Sequence, residues 1–112
     1  MDAEELYLRG AALARKNQHA EALALLEQAI VLDPRYLDAI EVKGLVHLNA
    51  GDFAAAEQAF RELLRIDPEC VLAYANLSRL YQRQGMIQLA EEMQAKAKML
   101  SWKAELAGSD DS

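Results

Sequence analysis

A chain of 112 residues with a hydrophobic fraction of 53% is long enough for one core and too short for several domains. Its formal net charge of -6 sets it against nucleic-acid phosphates and acidic membrane surfaces, and its one cysteine, Cys70, excludes an internal disulfide. No apolar run approaches the roughly 18 residues of a membrane span, and the opening MDAEELYL carries acids where a secretory leader carries positive charge.

Ala, Leu and Glu dominate and aromatics are few, a balance that favours helices throughout. A first helix is predicted over about 3–16, opened by Asp2 with Glu5 in a capping-box pattern and closed at Asn17. The second, about 19–32, stops at Asp33-Pro34, because the residue before proline is pushed out of the helical region. A third follows over about 36–49 and ends at Gly51, and Asp52 caps a fourth over about 53–66. Asp67-Pro68 stops that one. A fifth runs over about 70–84 to Gly85 and a sixth over about 87–106.

The two prolines, Pro34 and Pro68, lie 34 residues apart, and the same step recurs along the chain. Gly10, Gly44 and Ser78 fall in register, as do Ala22, Ala56 and Ala90, and Asn17, Gly51 and Gly85. Leu13, His47 and Tyr81 align, as do Leu6, Ile40 and Tyr74. A fixed period of this size marks a solenoid of helical hairpins. The small column within each first helix is expected to meet the alanine column of the second, so that the two axes approach closely. Asp-Pro is the punctuation between units.

These columns resemble the tetratricopeptide repeat (TPR) family over three units, about 3–36, 37–70 and 71–104, which is nearly the whole chain. The family's usual aromatic near the start of the first helix is Leu6 and Ile40 in two units and Tyr74 in the third. The resemblance implies an all-α, right-handed superhelical solenoid of three helix–turn–helix hairpins in one domain, 1–107, with a disordered tail over 108–112. Trp102 stands where proline stood before, so the sixth helix is expected to run on. Met99, Trp102 and Leu106 then form one apolar stripe, read as a cap over the open end of the solenoid, with a dimer contact or docking onto a larger protein as the alternative.

By the same resemblance, the first helices line a concave protein-binding groove. Its implied residues are Glu4, Tyr7, Leu8, Ala11 and Arg15 in the first unit and Asp38, Glu41, Val42, Leu45, Leu48 and Asn49 in the second. Leu72, Asn76, Arg79 and Arg83 follow in the third. Read as a surface, Tyr7, Leu8, Ala11, Val42, Leu45 and Leu48 make an apolar strip, Asp38 and Glu41 set acid beside it, and Arg79 and Arg83 place positive charge on the third unit. Such grooves accept an apolar peptide or an amphipathic helix of another protein. Some members clamp the terminal carboxylate of heat-shock chaperones with Lys, Asn and Arg. The matching positions here are Tyr7, Ala11, Val42, Leu72 and Asn76, none with the required residue, so a clamp ligand is not expected.

No catalytic constellation is visible, and no cofactor or metal is implied. His47 shares a packing column with Leu13 and Tyr81, and His19 reads as a solvated turn residue. There is no zinc-type spacing, phosphate-cradling glycine loop or nucleophile motif. The expected protein is a cytoplasmic, non-enzymatic binding module, adaptor or small chaperone, free of nucleic acid and membrane insertion. A self-assembling scaffold, a homo-oligomer through the groove or the Trp102 stripe, is the competing class, and a part in a larger assembly or secretion-chaperone complex is a further one.

Overall fold

The computed structural model describes residues 1–109. Those residues form six helices and no strand: α1 (Ala3–Arg15), α2 (His19–Leu32), α3 (Leu37–Ala50), α4 (Phe53–Ile66), α5 (Val71–Arg83) and α6 (Ile87–Ser109). Among the described residues, no helix is long and apolar enough to cross a membrane.

Helix ends follow from local chemistry. Asp2 Oδ1 accepts the Glu5 N–H at 2.8 Å, and Asp52 Oδ1 accepts the Ala55 N–H at 3.3 Å, each satisfying a donor that the first turn leaves free. The turns inside the hairpins all use the left-handed region, with φ of 59° at Asn17, 84° at Gly51 and 77° at Gly85. Asp-Pro does more than break a helix. Asp33 Oδ1 accepts the Arg35 N–H at 3.2 Å and Asp67 Oδ1 accepts the Glu69 N–H at 3.1 Å. The backbone carbonyls of the same two residues accept the N–H groups of Tyr36 and Cys70 at 3.1 and 3.0 Å. Each aspartate therefore builds the turn that launches the next first helix.

The helices pack as three hairpins, α1 with α2, α3 with α4 and α5 with α6. Between hairpins α3 packs on α2 and α5 on α4, while α1, α3 and α5 lie side by side. The apolar interior falls into two clusters that meet at α3. Ala39 and Val46 turn into the first, with Leu6, Ala22, Leu26 and Ala29. Ile40 and Leu48 turn into the second, with Phe60, Leu63, Leu77, Leu80 and Tyr81. The middle hairpin is thus covered on both sides.

The small column meets the expected alanine column and a large neighbour as well. A Cβ on Gly10 would sit 2.9 Å from Leu26 Cγ and 3.3 Å from the Ala22 carbonyl oxygen, and one on Gly44 would sit 2.4 Å from Phe60 Cε1. Glycine makes room for a large side chain of the second helix, not only for an alanine. In the last hairpin the large residue is replaced by Gln94, 34 positions after Phe60. Ser78 fits there, and its hydroxyl donates to the Ala90 carbonyl at 2.8 Å.

The last helix departs from expectation in two ways. It continues to Ser109, so Gly108 and Ser109, expected in a tail, are helical; positions 110–112 lie outside the described residues. It also packs on α5 alone among the described helices. Ala90, Met93, Ala97 and Leu100 face α5 at helical spacing, which leaves Met99, Trp102 and Leu106 on the far side. All three are exposed, Trp102 by 63%, so the stripe covers no end of this solenoid. The recess between α5 and α6 is lined by Ala75, Ser78, Arg79, Gln82, Gln94 and Ala97. Trp102→Ala is accordingly expected to change unfolding free energy by no more than about 0.5 kcal/mol, as exposed substitutions do. A urea titration followed by circular dichroism checks this, and a loss near 2 kcal/mol would restore the capping role.

Candidate functional site

The first helices are parallel neighbours, so their amino-terminal ends lie together and their carboxyl-terminal ends lie together. Acids collect at the first set of ends, with Glu4 and Glu5 in the first turn of α1 and Asp38 in that of α3. Bases occur at the second, with Arg15 in the last turn of α1 and Arg83 in that of α5. Both preferences match the helix dipole. Between them runs a cleft of about 260 Å³ along α1 and α3, lined by Tyr7, Ala11, Ala14, Arg15, Val42, Leu45, Val46 and Asn49.

Several expected groove residues meet here. Tyr7, Val42 and Leu45 are half-buried walls of the cleft, and Ala11 is its buried floor. Leu8 is 55% exposed on the same helix. Asp38 is exposed and Glu41 half-buried, at the amino-terminal end.

Other residues have different work. Leu48 is 1% exposed and belongs to the second core cluster. It lies one turn beyond Gly44, on the side of α3 that meets α4, and is not part of the groove. Asn76 is 5% exposed, and its Nδ2 donates to Glu41 Oε2 at 2.9 Å, tying α5 to α3 beneath the concave face. The guanidinium of Arg83 donates to the Leu48 carbonyl at 2.8 Å and lies 5.4 Å from the Phe53 ring centroid. It therefore satisfies a carbonyl at the end of α3 and braces two hairpins. Arg79 is exposed but lines the recess between α5 and α6. The positive charge expected on the third unit is thus absent from the cleft, where Arg15 supplies it instead. His19, read as solvated, is half-buried, and its Nε2 is shielded without a hydrogen-bond partner among the described residues.

Tyr36 was missed by sequence reasoning. It stands just ahead of α3, outside the helical face used to choose groove residues. Its ring lies 5.2 Å from that of Tyr7, centroid to centroid, at a tilt of 41°. Both phenols are held above the ordinary tyrosine range, Tyr7 by burial and then by the carboxylates of Asp38 and Glu41, against the pull of Arg15. For Tyr36 the causes are burial, then Glu4 and Asp38. The amino-terminal end of the cleft is therefore an aromatic pair set among carboxylates.

The model of the tetratricopeptide repeat matches residues 3–36 and 41–104. Among curated proteins, the TPR repeat-containing thioredoxin TTL4 of Arabidopsis thaliana is 33% identical over 84 residues, which is 75% of this chain and 12% of that protein. Among solved structures, a crystal structure of MamA superposes with a TM-score of 0.86 at 28% identity, covering 93% of this chain and 61% of that one. The second TPR of Spaghetti (RPAP3), bound to the HSP90 peptide SRMEEVD, superposes with a TM-score of 0.80 at 15% identity, covering 89% and 93%. This chain spans about an eighth of that plant relative and less than two thirds of MamA. With repeat matches on both sides of residue 40 and the full hairpin stack in place, the chain belongs to the tetratricopeptide repeat family.

Proposed function

We propose that this chain is a protein-interaction module, an adaptor or small chaperone, that holds an apolar peptide or amphipathic helix of another protein against the cleft between α1 and α3. One observation carries the reading: Tyr7, Val42 and Leu45 form apolar walls of a cleft open to solvent, and Leu8 is exposed on the same helix as Tyr7. Exposed apolar side chains gathered round a concavity gain most by covering themselves with a partner. The second TPR of RPAP3, bound to an HSP90 peptide, supports the reading through its similar fold.

The test compares the native chain with Leu8→Glu and Leu45→Glu in pull-downs from native lysate, with thermal melts of all three. Leu8→Glu is the cleaner variant because its side chain is already exposed. The expected result is at least a tenfold loss of a specific captured protein at an unchanged melting temperature for Leu8→Glu. Equal capture by all three chains would refute the reading.

A second reading, self-association, is favoured by the exposed Met99, Trp102 and Leu106 on the far side of α6. Light scattering over a range of concentrations separates the two, because a dimer through that stripe dissociates on Trp102→Ala and is indifferent to Leu8→Glu.

A further inference from the structure

The amino-terminal end of the cleft has the opposite character from a carboxylate-binding site. The carboxylates of Glu4 and Asp38 form no hydrogen bond or ion pair among the described residues. Glu41 gives one carboxylate oxygen to Asn76 and keeps the other free among the described residues. An ionised carboxylate accepts at both oxygens, so all three retain capacity. Tyr7 lies one turn after Glu4 on α1, Tyr36 precedes Asp38 at the start of α3, and the two rings lie 5.2 Å apart, centroid to centroid.

Helix-end electrostatics explain acids in the first turns of α1 and α3. Core packing accounts for one side of both tyrosine rings and Asn76 for one oxygen of Glu41, which leaves the outer ring faces and the second Glu41 oxygen with no such role. Aromatic faces and carboxylates together are what a lysine ammonium or an arginine guanidinium prefers: the ring quadrupole attracts the cation, and the carboxylates pair with it. The whole chain, at -6, reinforces the same sign.

Resting on the reading of the cleft as a peptide site, we infer that its partner is a segment carrying a lysine or arginine beside an apolar residue. The cation sits at the corner of Tyr7, Tyr36, Asp38 and Glu4. The apolar residue enters between Val42 and Leu45. Arg15, which lines the other end of the cleft, sets the direction, because it repels the basic residue from that end. An acidic segment meets repulsion from three carboxylates before it reaches Arg15.

The experiment uses the full chain and fluorescence anisotropy. One array of short labelled peptides carries Leu or Ile flanked by Lys or Arg, a matched array carries Glu or Asp, and SRMEEVD is the acidic reference. The expected result is that the tightest basic peptides bind about tenfold or more below the dissociation constants of the acidic set. Their affinity is expected to fall as salt rises. Asp38→Asn, at an exposed position, is expected to weaken the basic peptides several-fold while the lost helix-end charge lowers the melting temperature by no more than about 4 °C, and Tyr36→Leu is expected to weaken them too. Arg15→Gln is expected to leave them unchanged or tighter.

Equal or tighter binding of the acidic peptides would overturn this inference and leave the peptide-binding reading intact. So would indifference of the basic peptides to both Asp38→Asn and Tyr36→Leu. Failure of every peptide to bind would overturn both. A concentration-dependent mass increase abolished by Leu8→Glu would put a second copy in the cleft and would also overturn the basic-segment partner.

Discussion

Phe60→Ala is expected to lower the unfolding free energy by about 3–5 kcal/mol, the largest loss of any single truncation proposed for this chain. Phe60 is fully buried, with 0% exposure, and it joins both helices of the middle hairpin to α5. Removing the ring forfeits its transfer energy and leaves a cavity that close-packed helices refill only in part. Domains of this size are stable by only about 5–15 kcal/mol, so the variant forfeits a large share of the total. At about 4 °C per kcal/mol, the melting temperature falls by roughly 12–20 °C. The position within the array enlarges the consequence. In a solenoid each unit contacts only its neighbours, so loss of the middle unit uncouples the first from the last. A urea titration read by circular dichroism measures the change. A loss under about 1.5 kcal/mol would mean that the ring is not the keystone of the second cluster.

Gly44→Val is expected to destabilise by up to about 3 kcal/mol, through crowding where Phe60→Ala acts through a void. Even a bare Cβ at Gly44 would lie 2.4 Å from Phe60 Cε1 and 2.8 Å from Cδ1. The ring has nowhere to go, since it is buried on every side. Valine improves helix propensity over glycine by only a few tenths of a kcal/mol, too little to offset the overlap. Gly108→Val is the control, because nothing lies within 4 Å of a Cβ placed there. The two large effects also share one volume. In the double variant the valine occupies space that the ring vacated, so the combined loss is expected to be smaller than the sum of the singles. Strict additivity would show that Gly44 and Phe60 do not press on each other.

Much of the architecture was legible because the repeat is written in residues with strong backbone preferences. Asn17, Gly51 and Gly85 marked three turns, and each adopts a positive φ. Pro34 and Pro68 marked the two unit boundaries, and Asp2 and Asp52 the caps that they form. The groove was legible only in outline. Tyr7, Ala11, Val42 and Leu45 do come together along one cleft. Leu48 does not join them; its place one turn after Gly44, in the column expected to meet the second helix, was the signal in α3, and its apolar surroundings masked it. A helix packed on one side shows a polar stripe opposite its core, and that stripe orients every other residue. The helix α3 packs against α2, α4 and its two parallel neighbours, so apolar residues point in most directions. Arg83 and Asn76 were misplaced for a related reason. Their partners, the Leu48 carbonyl and the Glu41 carboxylate, each lie 35 residues away, and side-chain reach across hairpins has no local signal.

The sequence by itself determined the repeat, its period, the six helices and the turns between them, since these depend on φ preferences and on interactions within a few residues. Only the tertiary structure decided which apolar side chains are covered. Phe60 and Trp102 are both large and aromatic and both lie on second helices, yet one is sealed and the other is 63% exposed. Helical periodicity gives the angle at which a side chain leaves its axis. Whether another surface waits at that angle depends on which helix is packed there, and beyond α6 none of the described helices is.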